Sequence, residues 1–343
     1  MAENKGLERL KSDIQAGQLQ NIYIFHGEET YLRSNYLQKV RKALIPAGFE
    51  EFNDHPLSGK GLTVQALGET VEAMPMMAQH TLVTVEDMDL FKLDEGQRKA
   101  LIALLEDFPE YCTLIFIYHT LEYKPDKKMK KLYAALEEHV CVVEFAQQER
   151  SQLIRWLQRR FAARGHSIDP SAADHLMFTC GTLMNDLLPE VEKIAAYAKG
   201  EAITIEDINA VAEPILSARV FDMTNAITAG RFDDAMQVLS DLLRMQTEPI
   251  AILAAVGKEL RRLYTARLAL DSGKDRFWLK QLWHMSSDYP AKLLLQAAKK
   301  VDHRWCRDAM QRCQSLDRCM KSQRGLDSEA ELKLFLAELA GAR

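Results

Sequence analysis

A parallel α/β section followed by an all-helical remainder is the fold class this sequence predicts, and three observations predict it. Up to about residue 145, short apolar runs rich in β-branched and aromatic residues alternate with helical periodicities. Beyond that point the runs stop, and apolar residues recur at intervals of three and four. The chain has 343 residues, more than one ordinary core holds, so two or three domains are expected.

Residues 21–25 (Asn-Ile-Tyr-Ile-Phe) form the first expected strand, followed by Gly27. A helix begins near Thr30, with Leu32, Tyr36, Leu37 and Val40 on one face. A second helix is expected over about 64–72, then a strand over 81–85. Leu101, Leu104 and Leu105 mark another helix, which leads to a strand over 113–118. A helix over about 127–138 precedes the last strand, 141–145. Strands separated by helices imply a mostly parallel sheet covered on both faces.

The helical part opens with residues 151–164, where Leu153, Ile154, Leu157 and Phe161 share a face and Gly165 fits a C-terminal cap. Asp169 and Pro170 read as N-cap and first-turn proline. Leu183, Leu187, Val191 and Ile194 mark the next helix, which ends by Gly200. Thr204 with Asp207 resembles a capping box, with Ile203 and Ile208 placed as a hydrophobic staple. From about Glu213 the stripes Leu253, Val256, Leu260, Leu263 and Leu332, Leu334, Phe335, Leu339 predict a bundle of roughly five helices.

Composition narrows the function classes. Hydrophobic residues at 47% and charged residues at 27% give an ordinary globular balance. No apolar run reaches the roughly 18 residues of a membrane span. Residues 1–13 are polar and mixed in charge, so a cytoplasmic protein without membrane association is expected. A net charge of -5 argues against a simple polyanion binder. Residues 290–330, however, hold nine Lys/Arg against five Asp/Glu, including Lys299, Lys300, Arg304, Arg307 and Arg324. The six cysteines contain no paired spacing for a disulfide framework or a zinc knuckle. His303 and Cys306 stand three apart but lack further ligands nearby, so no metal site is expected.

The strand that ends at Phe25-His26-Gly27 and opens into a helix lies where a phosphate loop would lie. Such a loop needs several glycines, a lysine and a Ser/Thr. This stretch instead reads His26-Gly27-Glu28-Glu29-Thr30, with two glutamates where polyphosphate charge would sit. Glu86 and Asp87 follow the strand at 81–85 in the manner of a Walker carboxylate pair, yet no phosphate loop accompanies them. GxSxG, HExxH and dinucleotide fingerprints are missing, so neither a catalytic site nor a cofactor is expected.

Several segments resemble one family. Residues 22–32 (Ile-Tyr-Ile-Phe-His-Gly-Glu-Glu-Thr-Tyr-Leu) are similar to the opening of bacterial DNA polymerase III delta subunits. Residues 73–78 (Ala-Met-Pro-Met-Met-Ala) resemble that family's clamp-binding segment, and 126–133 its basic helix start. Gly181, Leu187, Glu190, Lys193 and residues 203–207 match its pattern in the second domain, and Leu316, Asp317 and Lys321 match near the end. Two departures from it stand out: Met76-Met77 replace the usual Leu-Phe or Phe-Phe, and Asn185 replaces the usual Asp.

The resemblance implies three parts. Residues 1–146 would be an AAA+-like clamp-binding domain with a degenerate nucleotide site, 147–212 a small helical lid, and 213–343 a helical collar for oligomerisation. It implies a delta subunit that binds and opens the beta sliding clamp during DNA replication, through Met74, Pro75, Met76 and Met77. Its partners would be the loader ATPase subunits, delta prime and primer-template DNA, with Lys299, Lys300, Arg304 and Arg307 as candidate DNA-facing residues. The chain itself would carry no catalytic site, although it would belong to a DNA-directed DNA polymerase (nucleotidyltransferase) holoenzyme. Two other readings stand beside it: an AAA+-like nucleic-acid-binding regulator or scaffold without clamp function, and an enzyme with an atypical nucleotide site.

Overall fold

The computed structural model describes residues 5–285, 287–323 and 325–341; Arg324 of the basic stretch lies outside them. The chain divides into two compact units. One comprises Met1–Gln148 with Leu183–Asn185, the other Glu149–Thr182 with Asp186–Arg343. Among the described residues, no helix is long and apolar enough to cross a membrane.

The first unit is built on a five-stranded sheet. Its strands are β1 (Ile22–His26), β2 (Asp54–Ser58), β3 (Thr81–Glu86), β4 (Cys112–Ile117) and β5 (Cys141–Glu144), in the order β2-β3-β4-β1-β5. Every pairing is parallel, with Tyr23 opposite both Ile115 and Cys141. The period-two alternation of strand side chains divides the core between two faces. Ile22, Ile24, Val83, Val85, Leu114 and Phe116 pack with Leu67, Val71, Leu101, Leu105 and Leu136. Tyr23, Phe25, Leu82, Ile115 and Val143 pack on the other face with Leu10 and Val40. Burial on both faces is what makes these strands near-continuous apolar runs.

Three elements here go beyond the sequence reading, the short helix Glu50–Asn53 among them. A helix spans Lys5–Ala16, with Leu10 fully buried. Strand β2 (Asp-His-Pro-Leu-Ser) pairs only with β3 at the sheet edge. An edge strand tolerates Pro56, because the missing N–H costs no second ladder bond.

Among the described residues, the second unit is helical apart from two-residue strands β6 (Ser167–Ile168) and β7 (Ala202–Ile203), which pair in parallel. The expected caps form. Asp169 accepts from the N–H of Ala172, with Pro170 in the first turn. Thr204 and Asp207 exchange both capping-box bonds, and Ile203 and Ile208 are buried beside them. From Leu216 onward there are seven helices among the described residues, where about five were expected. Val220 to Leu339 contribute one continuous core, with Leu253, Val256, Leu260 and Leu263 buried in a row on the 23-residue helix Pro249–Asp271. Phe178 packs edge-on against Phe221, and the His175 ring meets the Tyr289 hydroxyl at 3.0 Å. These contacts join the earlier helices to the later ones within one unit.

Candidate functional site

In open parallel sheets ligands settle beyond the carboxyl ends of the strands, where the strand order reverses. That point here lies beside β1, with β4 on one side and β5 on the other. A cavity of about 830 Å³ opens there, lined by His26 at the end of β1 with Gly27 and Glu28 beyond it, by residues 118–123 after β4, and by Glu144 at the end of β5. Gly27 turns the chain at φ 113°, and a Cβ on it would come within 2.4 Å of the Phe145 carbonyl oxygen. Only glycine fits.

The charges in this cavity do not suit a nucleotide. Among the described residues, its lining includes Glu28, Glu122 and Glu144 but no lysine or arginine. Burial pushes the His26 imidazole below its ordinary pKa, against the pull of Glu144, and raises the Tyr123 phenol to about 12. Both therefore stay neutral near pH 7. The two adjacent glutamates turn out to differ. Glu28 faces the cavity, whereas Glu29 is fully buried. The Glu29 N–H donates to the Phe145 carbonyl at 2.8 Å, and its carboxylate accepts from the N–H of Met184 at 3.3 Å. One carboxylate, not two, occupies the phosphate position.

The nearest buried cation is turned inward. Arg33 is 2% exposed and donates to the carbonyls of Gly27 at 3.0 Å and Tyr118 at 2.8 Å. It also reaches His119 Nδ1 at 2.8 Å. A guanidinium only donates, so Nδ1 is the acceptor and His119 carries its proton on Nε2, 3.6 Å from Glu86. Asp87 has a similar structural task. In the left-handed region at φ 54°, its carboxylate accepts the N–H groups of His119, Thr120 and Leu121 and the Thr120 hydroxyl. Burial alone would raise this carboxyl, but those bonds outweigh it and hold it below the usual range. Asp87, directly after β3, thus braces the loop after β4.

The second place of interest is the loop between the Val64–Val71 helix and β3. Met74, Met76 and Met77 are 77%, 54% and 79% exposed. They follow the helix end by several residues and ride on a bend, not on the helix tip itself. The loop is tied at two points, Glu72 and Met76. The Tyr111 hydroxyl donates to the Glu72 carbonyl at 2.9 Å. Asn53, fully buried, donates to the Met76 carbonyl at 2.9 Å and accepts the Met76 N–H at 2.8 Å. Met77 sits at φ 54°, a conformation that costs a side-chain-bearing residue about 1–2 kcal/mol. Three large apolar side chains are held in water by a strained, pinned loop.

Comparison with known proteins identifies the family. A family model described as DNA polymerase III, delta subunit matches residues 23–146, and one described as its C-terminal domain matches 217–339. The chain belongs to the DNA polymerase III delta subunit family. This delta homologue is 22% identical over 336 residues to DNA polymerase III subunit delta of Bacillus subtilis (strain 168), covering 95% of this chain and 94% of that one. It is 22% identical over 268 residues to a probable DNA polymerase III subunit delta of Aquifex aeolicus (strain VF5), covering 75% and 73%. The solved structure of the Bacillus subtilis DNA clamp loader delta protein shares its fold, with a TM-score of 0.53 and 20% identity over 98% of this chain and 99% of that one.

The four candidate DNA-facing residues of this delta homologue fall into two hollows of the second unit. Lys299, Lys300 and Arg304 line one of about 710 Å³, together with Asp302, Asp308 and Arg312. Arg307 lies in another of about 490 Å³, with Arg261, Tyr264, Met310 and Lys321. Arg304 and Arg307 are three residues apart, yet their side chains serve different hollows. His303 pairs with Asp271, and Cys306 is buried. Sequence reasoning missed Asn53 and Arg33. Arg33 had a signal, because it stands three, four and seven residues before Tyr36, Leu37 and Val40 in an otherwise apolar stripe.

Proposed function

We propose that this chain is the clamp-opening delta subunit of a DNA polymerase III clamp loader, and that it grips the beta sliding clamp through Met74, Pro75, Met76 and Met77. The observation that carries the reading is the pinned loop that keeps three methionines exposed. Unbranched thioether side chains adapt to a pocket that relatives fill with Leu or Phe. In this reading the first unit is AAA+-like with a degenerate nucleotide site, and neighbouring loader subunits hydrolyse ATP. Residues 147–212 serve as a lid, and residues 213–343 as a collar that meets the ATPase subunits and delta prime around primer-template DNA.

The test is capture on the organism's sliding clamp. Each buried methionine contributes roughly 1.5–3 kcal/mol, so Met76→Ala with Met77→Ala should cost about 3–5 kcal/mol, or 10²–10⁴-fold in affinity. Both side chains are exposed, so stability should stay within about 1 kcal/mol of the parent. A double variant that binds the clamp normally sinks the proposal.

A second reading, a nucleic-acid-binding regulator or scaffold, is favoured by the hollow of Lys299, Lys300 and Arg304. Tight, salt-dependent DNA binding by the isolated chain, without affinity for the clamp, would select it. In the clamp-loader reading those residues and Arg307 track phosphates only within the assembled loader. Reversing their charge should then flatten the loader's salt dependence on DNA.

A further inference from the structure

We infer that the clamp-docking element is made of two chain segments, with Asn53 as the positioning residue that joins them and Phe52 as a second apolar anchor. The inference rests on the clamp-binding reading of the methionine loop. Asn53 ends the short helical turn Glu50–Asn53, which leads directly into β2. Its side-chain amide engages the Met76 backbone as a strand neighbour would, with one bond given and one received. A third bond, to the Phe49 carbonyl at 3.0 Å, ties the same amide to its own turn. Both the donor and the acceptor of a single side chain are thus committed, and only a carboxamide supplies both at this reach. The amide is fully buried although the methionines beside it are exposed. It fixes the loop without covering the side chains the loop presents.

The residue next to the pin is Phe52, and its ring is half exposed. Phe52 adjoins Asn53 in the chain, and Asn53 bonds Met76, so an exposed aromatic lies within one residue of the loop's anchor point. Phe52 is assigned to the same clamp contact because it is the exposed apolar residue adjoining the pin. Asn53 limits the conformations the loop must give up on binding, which is how preorganisation raises affinity.

The experiment measures affinity and dissociation rate of the full chain on the sliding clamp, well below the melting temperature. It compares Phe52→Ala, Asn53→Ala, Asn53→Asp and the methionine double variant, with amide exchange recorded in each. Asn53→Ala should weaken binding about tenfold, mostly through faster dissociation, and should speed exchange of the Met76 amide while β3 and β4 amides stay protected. Asn53→Asp keeps the acceptor for that amide and should restore its protection in part. Phe52→Ala should weaken binding by about tenfold without changing Met76 exchange. If Asn53→Ala fails to fold, Phe52→Ala and Asn53→Asp still decide. Parental binding by Phe52→Ala and by the folded Asn53 variants, alongside loss in the methionine variant, overturns this inference alone. Parental binding by the methionine variant overturns the clamp reading beneath it.

Discussion

Replacing Arg33 with methionine should loosen the carboxyl end of the sheet without creating or removing a nucleotide site. The guanidinium satisfies two carbonyls and His119 from a nearly fully buried position. A hydrogen bond to a charged group is worth about 1.5–3 kcal/mol, and a buried carbonyl left unpaired costs about 1–3 kcal/mol. Methionine recovers part of this, because it fills the volume of the arginine stem and removes the cost of keeping a cation out of water. The balance is a loss of about 3 kcal/mol, near 6–12 °C for a unit of this size. Since the two units can melt separately, the readout is exchange of the β1 and β4 amides, whose protection reports the first unit. Calorimetry with ATP should show no micromolar binding to parent or variant. A variant within about 0.5 kcal/mol of the parent would refute the assignment of Arg33 as a structural cation. Micromolar ATP binding by the parent would refute the electrostatic argument about the cavity.

Two further outcomes follow from burial and hydrogen bonding. Five of the six cysteines are buried and Cys319 is only partly so; burial raises the Cys112, Cys306 and Cys313 thiols to about 11 and Cys180 to about 12. Thiol titration of the native protein at pH 8 should show one fast-reacting group, and six after denaturation. Asp87 has a folded pKa below its unfolded value of about 3.9, so its contribution is complete at neutral pH and is lost as pH falls through the lower folded value. Asp87→Ala should cost about 1.5–3 kcal/mol at pH 7 and less at an acid pH below the unfolded value, measured by urea unfolding. Equal losses at both pH values would show that the carboxylate charge is not what braces the loop.

Most of the α/β section was legible because a parallel sheet covered on both faces writes itself as apolar runs. Residues 22–26, 81–86, 112–117 and 141–144 all carry that signature. β2 carries none of it. At the edge, half exposed and interrupted by Pro56, it owes its existence to pairing with β3, and no local pattern records a partner 28 residues away. The helix Lys5–Ala16 was hidden differently, since only Leu10 is fully buried and its charges read as a polar terminus. In the bundle, the short helix Arg276–Leu282 has one buried residue, Leu279, too few for a periodicity to declare itself.

The candidate site divides along the same line between local and distant causes. Pro75 and the methionines around it form a local signal, and sequence alone could place them after a helix and before a strand. What keeps them outside the core is not local. Tyr111 holds Glu72 from 39 residues away, and Asn53 holds Met76 from 23. Without those bonds, a loop with three closely spaced large apolar residues would gain by folding them against the nearest uncovered surface. The pins make that collapse costly, because it would leave the Asn53 amide, buried between the segments, without its partners. Exposure of the methionines is therefore a property the fold enforces, and the residues that enforce it look ordinary in the sequence.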